Sequence, residues 1–200
     1  MAGISVLQRR FASNTALALA LAAFGAGVGA RAARAQAPSD EAQVKAAFVY
    51  NFMKFVEWPA EVTQRAGDSL VVAVIGEGDA AEAAARFLAG RPVGDRHIVV
   101  HRPKWDQPLG VVHVVFVTES DARRLRRVAD ASASRPVLSI GDAASFATIG
   151  GIIGLVVDDR RVRFDIDADA ADAAGLKVSS KLLALSRTVH SSKNKSGDRP

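Results

Sequence analysis

The sequence predicts a three-layer α/β domain, in which a mostly parallel, Rossmann-like sheet is flanked by helices and carries a hairpin at its edge. Segments 70–75 (LVVAVI) and 111–117 (VVHVVFV) are continuous runs rich in β-branched residues, typical of strands covered on both faces of a parallel sheet. A helical segment follows each run, so strands and helices alternate. Segment 161–167 instead alternates polar and apolar residues, which indicates a strand with one solvated face.

The first predicted element is an amphipathic helix with an aromatic face. Ser39 offers a hydroxyl to cap the free backbone N–H groups, and Asp40 and Glu41 follow at the positive end of the helix dipole. Apolar residues recur at three- and four-residue intervals up to Trp58, and Pro59 is expected to end the helix. These apolar residues include Val44, Ala47, Phe48, Phe52, Phe55 and Val56.

The remaining elements continue the alternation along the chain. Helices are expected at about 79–89 and 120–131, after the two long strands. A hairpin turned around Asp158 and Asp159 is expected to bring the alternating strand to the sheet edge. The other predicted elements are a strand at 137–140, a short helix at 142–146, a strand at 152–157, and closing helices at about 168–174 and 179–190.

The N-terminal segment 1–35 predicts a cleaved secretory signal peptide. Arg9 and Arg10 form a basic region, 16–30 is an uncharged run of small and apolar residues, and 33–35 has the small-x-small pattern of a cleavage site. The alternative is a membrane anchor, but the apolar run is shorter than the roughly 20 residues that a span needs. We therefore expect export and no stable membrane insertion after cleavage.

The rest of the sequence predicts one domain followed by a tail. The full chain has 200 residues, a length that suits a single domain with a sizeable core. Segment 191–200 has no apolar residue and several turn formers, which predicts a disordered tail. The predicted domain therefore spans residues 36–190.

The net charge of +5 does not indicate nucleic-acid binding. Four of the 26 basic residues and none of the 21 acidic ones lie in residues 1–35, which leaves 22 basic against 21 acidic residues in the remainder. The arginines of segment 123–127 lack aromatic neighbours on which bases stack. A nucleic-acid partner is therefore not expected.

No catalytic set is evident in the sequence. The chain has no cysteine, so an exported form has neither a disulfide nor a thiol switch. It also lacks the G-x-S-x-G turn of serine hydrolases. Serine triads form in space rather than in sequence, so their absence does not follow from this pattern. The interpretation favoured by these features is a protein that is not an enzyme.

Segment 76–81 (GEGDAA) matches the dinucleotide fingerprint G-x-G-x-x-G/A between a strand and a helix. However, Glu77 and Asp79 bring negative charge to the position that a phosphate would take. A tight turn from strand to helix also needs glycine for its own geometry. We therefore expect no dinucleotide and no other cofactor here.

The four histidines do not predict a metal site. His97 and His101 would share one face of a peripheral strand, but no third ligand is evident beside them, and zinc needs three or four. His113 falls within an apolar strand and is expected to be a buried, hydrogen-bonded core residue. His190 is the fourth, at the end of the last predicted helix.

Three groups of residues, in this order and spacing, resemble the YfiR family of exported bacterial proteins over about residues 42–189. The first is 44–59, with VKAAF, NF and the FVEWP signature. The second is 137–153, with VLSIGD, Phe146 and GGII. The third is 163–183, with RFDID and AGLKVSSKLL. Two departures are Asp167, where the family commonly has Asn, and the absence of cysteine, which removes redox control through thiols.

The resemblance implies a periplasmic repressor that binds the periplasmic domain of a membrane diguanylate cyclase and lowers cyclic di-GMP signalling, and with it biofilm formation. A homodimer is also expected, because two-fold pairing is the commonest way to cover an aromatic helix face. The candidate partner-binding residues lie on the first and last helices: Phe52, Phe55, Trp58, Leu182 and Leu185.

An alternative from another class remains open. A periplasmic small-molecule-binding or enzymatic domain would use the crevice at the carboxyl ends of the parallel strands. In this sequence that crevice would lie near 76–79 and 118–120. An adjacent gene for a membrane cyclase would support repression, whereas an adjacent metabolic operon or transporter would support the alternative.

Overall fold

A computed structural model describes residues 39–192, and the predicted signal peptide and most of the predicted tail lie outside this range. Within it, helices and strands alternate for most of the chain, and a 3-10 turn spans Ala144–Thr148. In chain order the elements are α1 (Asp40–Phe52), β1 (Val56–Glu57), α2 (Ala60–Ala66), β2 (Ser69–Gly76), α3 (Asp79–Leu88), β3 (Pro92–Val93), β4 (Arg96–His101), β5 (Val114–Thr118), α4 (Ala122–Ser132), β6 (Leu138–Gly141), β7 (Ile153–Asp158), β8 (Arg161–Asp167), α5 (Ala168–Ala173), β9 (Lys177–Val178), α6 (Ser180–Leu185) and β10 (Thr188–His190).

The central sheet has eight strands in the order β10-β8-β7-β6-β5-β2-β4-β3. Strands β4, β2, β5, β6 and β7 are all parallel, whereas β3 and β8 pair antiparallel with their neighbours β4 and β7. This confirms the predicted mostly parallel α/β fold. Strands β1 and β9 form a separate two-stranded antiparallel sheet.

The continuous apolar strands are buried on both faces, as predicted. Val72, Val74 and Phe116 belong to one core cluster, together with residues of α1 and α3. Their sequence neighbours Ala73 and Val115 belong to a second cluster, with residues of α4. Because successive side chains of a strand point to opposite faces, an apolar run without alternation fills both cores. The domain therefore has the predicted three layers.

The first helix is shorter than predicted. The Ser39 hydroxyl caps it as expected, accepting from the backbone N–H of Ala42 at 3.3 Å. The helix ends at Phe52, however, and Pro59 is the N-cap of α2 rather than the end of α1. Between them, the chain forms β1 and pairs with β9. The apolar residues after Phe52 keep helical spacing although the backbone there is no longer helical. Periodicity alone therefore does not reveal the end of the helix.

The predicted hairpin is present as β7 and β8, but it is not at the sheet edge. Its turn residues Asp159 and Arg160 have φ of 48° and 58°, so both adopt the left-handed conformation of a two-residue hairpin loop. Strand β10 pairs parallel with β8 and takes the edge position. The alternating pattern of β8 predicts a solvated face, but Asp165 is buried, and Arg187 pairs with both of its carboxylate oxygens.

Three other elements differ from the prediction. Strand β5 begins at Val114 rather than at residue 111, and Val111 is 85% exposed. The short helix predicted at 142–146 is the 3-10 turn. The last helix, predicted at 179–190, ends at Leu185 because the chain then turns into edge strand β10. Backbone pairing with β8 outweighs the helical spacing of this segment.

Phe146 explains why glycines occur on either side of the 3-10 turn. A Cβ added at Gly151 would lie 2.2 Å from Phe146 Cδ1, and one added at Gly141 would lie 2.4 Å from its Cγ. The ring is fully buried and fills the space above both glycines. This contact, rather than a turn alone, requires glycine at these positions.

Candidate functional site

The two segments predicted to contact a partner are joined by the β1–β9 pairing. Val56 is opposite Val178, and the backbone N–H of Ser179 donates to the carbonyl of Phe55 at 2.9 Å. The Ser179 hydroxyl then caps α6 by accepting from Leu182 N. Residues more than 100 positions apart in sequence, such as Phe55 and Ser179, therefore form one continuous surface.

Burial corrects part of the predicted partner-binding set. Phe52 is 1% exposed and Leu182 is 3% exposed, so both are core residues and cannot contact a partner in the folded domain. Phe52 packs edge-on against Phe164, with 4.9 Å between ring centroids. The helical spacing that suggested an exposed aromatic face is instead the spacing of a helix packed on a sheet.

The other three predicted residues keep accessible surface. Phe55 and Trp58 are half-buried, and Leu185 is 70% exposed. The indole N–H of Trp58 donates to the carbonyl of His113 at 3.3 Å, which holds the ring against the strand that starts at Val114. We define Phe55, Trp58 and Leu185 as the β1–β9 surface.

A crevice of about 410 Å³ lies at the carboxyl ends of the parallel strands. The chain leaves β2 toward β4 on one side, whereas β5 lies on the other side, so the crevice is at the point where strand order reverses. Gly76 and Thr118, at the ends of β2 and β5, are register partners there. The lining residues are Ser39, Glu41, Ala42, Lys45, Glu77, Asp79, Ala80, Thr118, Glu119, Ser120 and Asp142.

Lys45 is the crevice residue that the sequence analysis missed. Its Nζ lies 2.6 Å from Glu41 Oε1 and 2.7 Å from Asp142 Oδ1, and the residue is 8% exposed. Burial lowers the pKa of Lys45, but hydrogen bonds to Asp142 and Glu41 outweigh it and raise the pKa above the ordinary lysine value. The available signal was a lysine among the buried positions of α1, four residues after a glutamate.

The remaining charges of the crevice are negative. Glu119 accepts hydrogen bonds from the backbone N–H groups of Asp121 and Ser120 and pairs with Arg124. The N–H of Asp121, followed by the Arg124 guanidinium, lowers the pKa of Glu119, so this carboxylate stays ionised at neutral pH. Glu77 and Asp79 of the GEGDAA segment also line the crevice. The lining carries five carboxylates against one ammonium, which disfavours the phosphates of a nucleotide.

Glycine at position 76 has a structural reason. A Cβ there would lie 2.3 Å from the carbonyl oxygen of Thr118, and Gly76 has a φ of +110°. Close approach of the two strand ends therefore accounts for the first glycine of the fingerprint without a nucleotide.

The structure confirms the prediction for His113. It is 5% exposed, and its Nδ1 accepts a hydrogen bond from the backbone N–H of Val71 at 2.9 Å. Burial, followed by the nearby charge of Arg96, lowers its pKa, so the ring is neutral at pH 7 with its proton on Nε2. His97 and His101 lie exposed on β4. Within residues 39–192, no group of three or more His, Cys, Asp or Glu is arranged to hold a metal ion.

Comparison with a solved structure gives a distant likeness. The crystal structure of a conserved domain protein from Vibrio cholerae O1 biovar eltor str. N16961 aligns with a TM-score of 0.49 and 12% sequence identity, covering 76% of this chain. The present chain spans 61% of the length of that protein chain.

Comparison with protein families gives a match over nearly the whole described domain. The profile described as YfiR/HmsC-like matches residues 42–187, from the first turns of α1 to the residue before β10. This span includes the β1–β9 surface and most of the crevice. Within residues 39–192, no helix is long and apolar enough to cross a membrane. The chain therefore belongs to the YfiR/HmsC-like family, whose members are periplasmic proteins that regulate cyclic di-GMP signalling rather than catalyse reactions.

Proposed function

We propose that this protein is a non-catalytic periplasmic repressor that binds the periplasmic domain of a membrane diguanylate cyclase and lowers cyclic di-GMP output. Family membership over residues 42–187 is the observation that carries the proposal. Segment 1–35 would direct export and then be cleaved, which would bring the mature protein to the same compartment as that domain. Biofilm formation would then fall with cyclic di-GMP.

Repression of this kind works by differential binding. The protein must bind the inactive conformation of the cyclase better than the active one, and the shift in output cannot exceed that difference in affinity. The body of the chain is nearly neutral, so it offers little long-range electrostatic steering. Apolar contacts must therefore supply most of the affinity.

The β1–β9 surface is the proposed contact for the cyclase. Leu185 presents a large apolar side chain to solvent at 70% exposure, and Phe55 and Trp58 are half-buried. Aromatic and aliphatic anchors of this kind dominate the energetics of protein interfaces. Phe52 and Leu182 are buried in the core and are not part of this surface.

A binding measurement with a matched pair of variants tests this contact. The bait is the periplasmic domain of a membrane diguanylate cyclase of the same organism, and affinity is measured by calorimetry. Leu185→Asp should weaken binding at least about tenfold, whereas Val111→Asp, at a comparably exposed apolar residue before β5, should leave it unchanged. Equal affinities for the wild type and both variants would show that the β1–β9 surface is not part of the interface.

We also propose that the mature protein is a homodimer. Two-fold pairing is the commonest oligomeric arrangement, and it would cover exposed apolar side chains that a monomer leaves in water. Light scattering of the mature protein at micromolar concentration should give twice the mass of one chain. A stable monomer at that concentration would contradict the proposal.

A second candidate function is small-molecule binding in the strand-end crevice. Its position at the reversal of strand order favours this alternative, because ligands of open α/β sheets bind there. In that case, deletion of the gene would leave cyclic di-GMP unchanged. A screen of small metabolites by thermal shift would then find a ligand whose effect is lost in Glu77→Gln.

A further inference from the structure

An apolar groove lies at the opposite end of the sheet from the strand-end crevice. It has a volume of about 190 Å³ and lies between α2 and the starts of β5 and β6. This is smaller than the about 300–1,000 Å³ typical of pockets for drug-sized ligands, so it suits a short chain. Its apolar lining residues are all aliphatic, with no Phe, Tyr or Trp among them: Val62, Ala66, Val111, Val112, Pro136 and Val137.

A nearly buried histidine is among the residues that line this groove. His113 lines the groove and is 5% exposed. The Val71 N–H occupies Nδ1, so the proton of the neutral ring is on Nε2. That Nε2–H makes no hydrogen bond within the described residues 39–192, and the atom keeps some solvent-accessible surface. A nearly buried donor without a partner is unusual and favours an acceptor from outside the chain.

The rim of the groove is cationic. Arg135 is fixed there, since its Nη1 donates to the Ala131 carbonyl and its Nη2 to the Gly110 carbonyl. Arg65, in the last turn of α2, is exposed and forms no ion pair within the described part of the chain. No Asp or Glu among the described residues lines the groove. Two guanidinium groups and a neutral N–H donor together match a single carboxylate.

We propose that this groove binds a short aliphatic carboxylate, with the alkyl chain between α2 and the starts of β5 and β6 and the carboxylate at Arg65 and His113. The aliphatic walls favour the chain over an aromatic ring, and the uncompensated rim charge favours an anion over an alcohol or an amine. Because the site lies at the amino ends of the strands, it is separate from the crevice. It does not depend on the identity of a membrane partner.

Calorimetry of the mature protein with three probes of equal chain length tests the assignment. Hexanoate should bind, whereas hexan-1-ol and hexylamine should bind at least about tenfold more weakly, because they lack the negative charge. Absence of hexanoate binding, or equal binding of all three probes, would overturn the proposal.

Variants then locate the binding. Arg65→Glu should weaken hexanoate binding at least about tenfold, while Arg126→Glu, at an exposed arginine of α4 outside the groove, should not change it. Ala66→Phe fills the groove and should abolish binding of the chain. Circular dichroism verifies that each variant is folded. Hexanoate binding that survives both Arg65→Glu and Ala66→Phe in folded protein would show that the ligand is elsewhere and overturn the assignment.

Discussion

The ammonium of Lys45 lies 2.7 Å from Asp142 Oδ1, which ties the middle of α1 to the end of β6 across the strand-end crevice. Glu41, one helical turn earlier, holds the same ammonium at 2.6 Å. In both ion pairs the Lys45 side chain is largely buried, with only 10% of its surface exposed. These two ion pairs therefore hold the charged side chains on this side of the crevice in place.

Replacing Lys45 should destabilise the domain. Lys45→Met keeps the aliphatic stem but leaves Asp142 without its cation, and hydrogen bonds to charged groups contribute about 1.5–3 kcal/mol. We expect a loss of that order in the free energy of unfolding, measured with urea. Lys54→Met is the control, because Lys54 is exposed and lies over the Tyr50 ring, and it should cost less than about 1 kcal/mol.

The packing of Phe146 on Gly151 predicts a non-additive pair of substitutions. Gly151→Ala introduces a Cβ within 2.2 Å of the ring, so it should cost about 1–3 kcal/mol through overpacking. In a Phe146→Leu background the same change should cost less, because the smaller side chain leaves room. A double-mutant cycle by urea unfolding measures the difference. Equal costs in both backgrounds would contradict the contact.

The lowered pKa of His113 predicts a pH dependence of stability. Since the pKa is below its unfolded value of 6.5 in the folded state, the unfolded chain binds more protons as the pH falls below about 6.5. The free energy of unfolding should therefore fall between pH 7.5 and the folded-state pKa, and level off below it. The direction follows from burial, which disfavours the imidazolium.

Two variants isolate this contribution. His113→Gln removes the titrating group and should show a weaker decline with falling pH than the wild type. His97→Gln removes an exposed histidine and should keep the wild-type slope. Urea unfolding at several pH values provides the measurement, and a His113→Gln profile parallel to the wild type would refute the assignment.

The sequence predicted the sheet well because its signal was local. Continuous apolar runs predicted β2 and β5. A strand whose side chains alternate between two cores must be apolar at every position, and such a run shows this directly. The hairpin was predicted too, since its turn and alternating strand are adjacent in sequence. The edge position was wrong because β10, only three residues long, carries no sequence pattern of its own.

The candidate surface was harder to predict because burial depends on distant contacts. Phe52, Phe55 and Trp58 have the same spacing and chemistry in sequence, yet only Phe52 is packed against Phe164 of β8. The β1–β9 pairing that distinguishes them joins segments more than 100 residues apart. Lys45 was overlooked for the same reason, since its partner Asp142 is also distant in sequence.

Cyclic di-GMP measured in a strain that lacks this gene tests the proposed repression most directly. Deletion should raise the level of the nucleotide, and the full-length gene should restore the original level. A form without segment 1–35 should stay in the cytoplasm and should not restore it, because the proposed contact is with a periplasmic domain. An unchanged level after deletion, or full rescue by the form without the signal segment, would contradict repression from the periplasm.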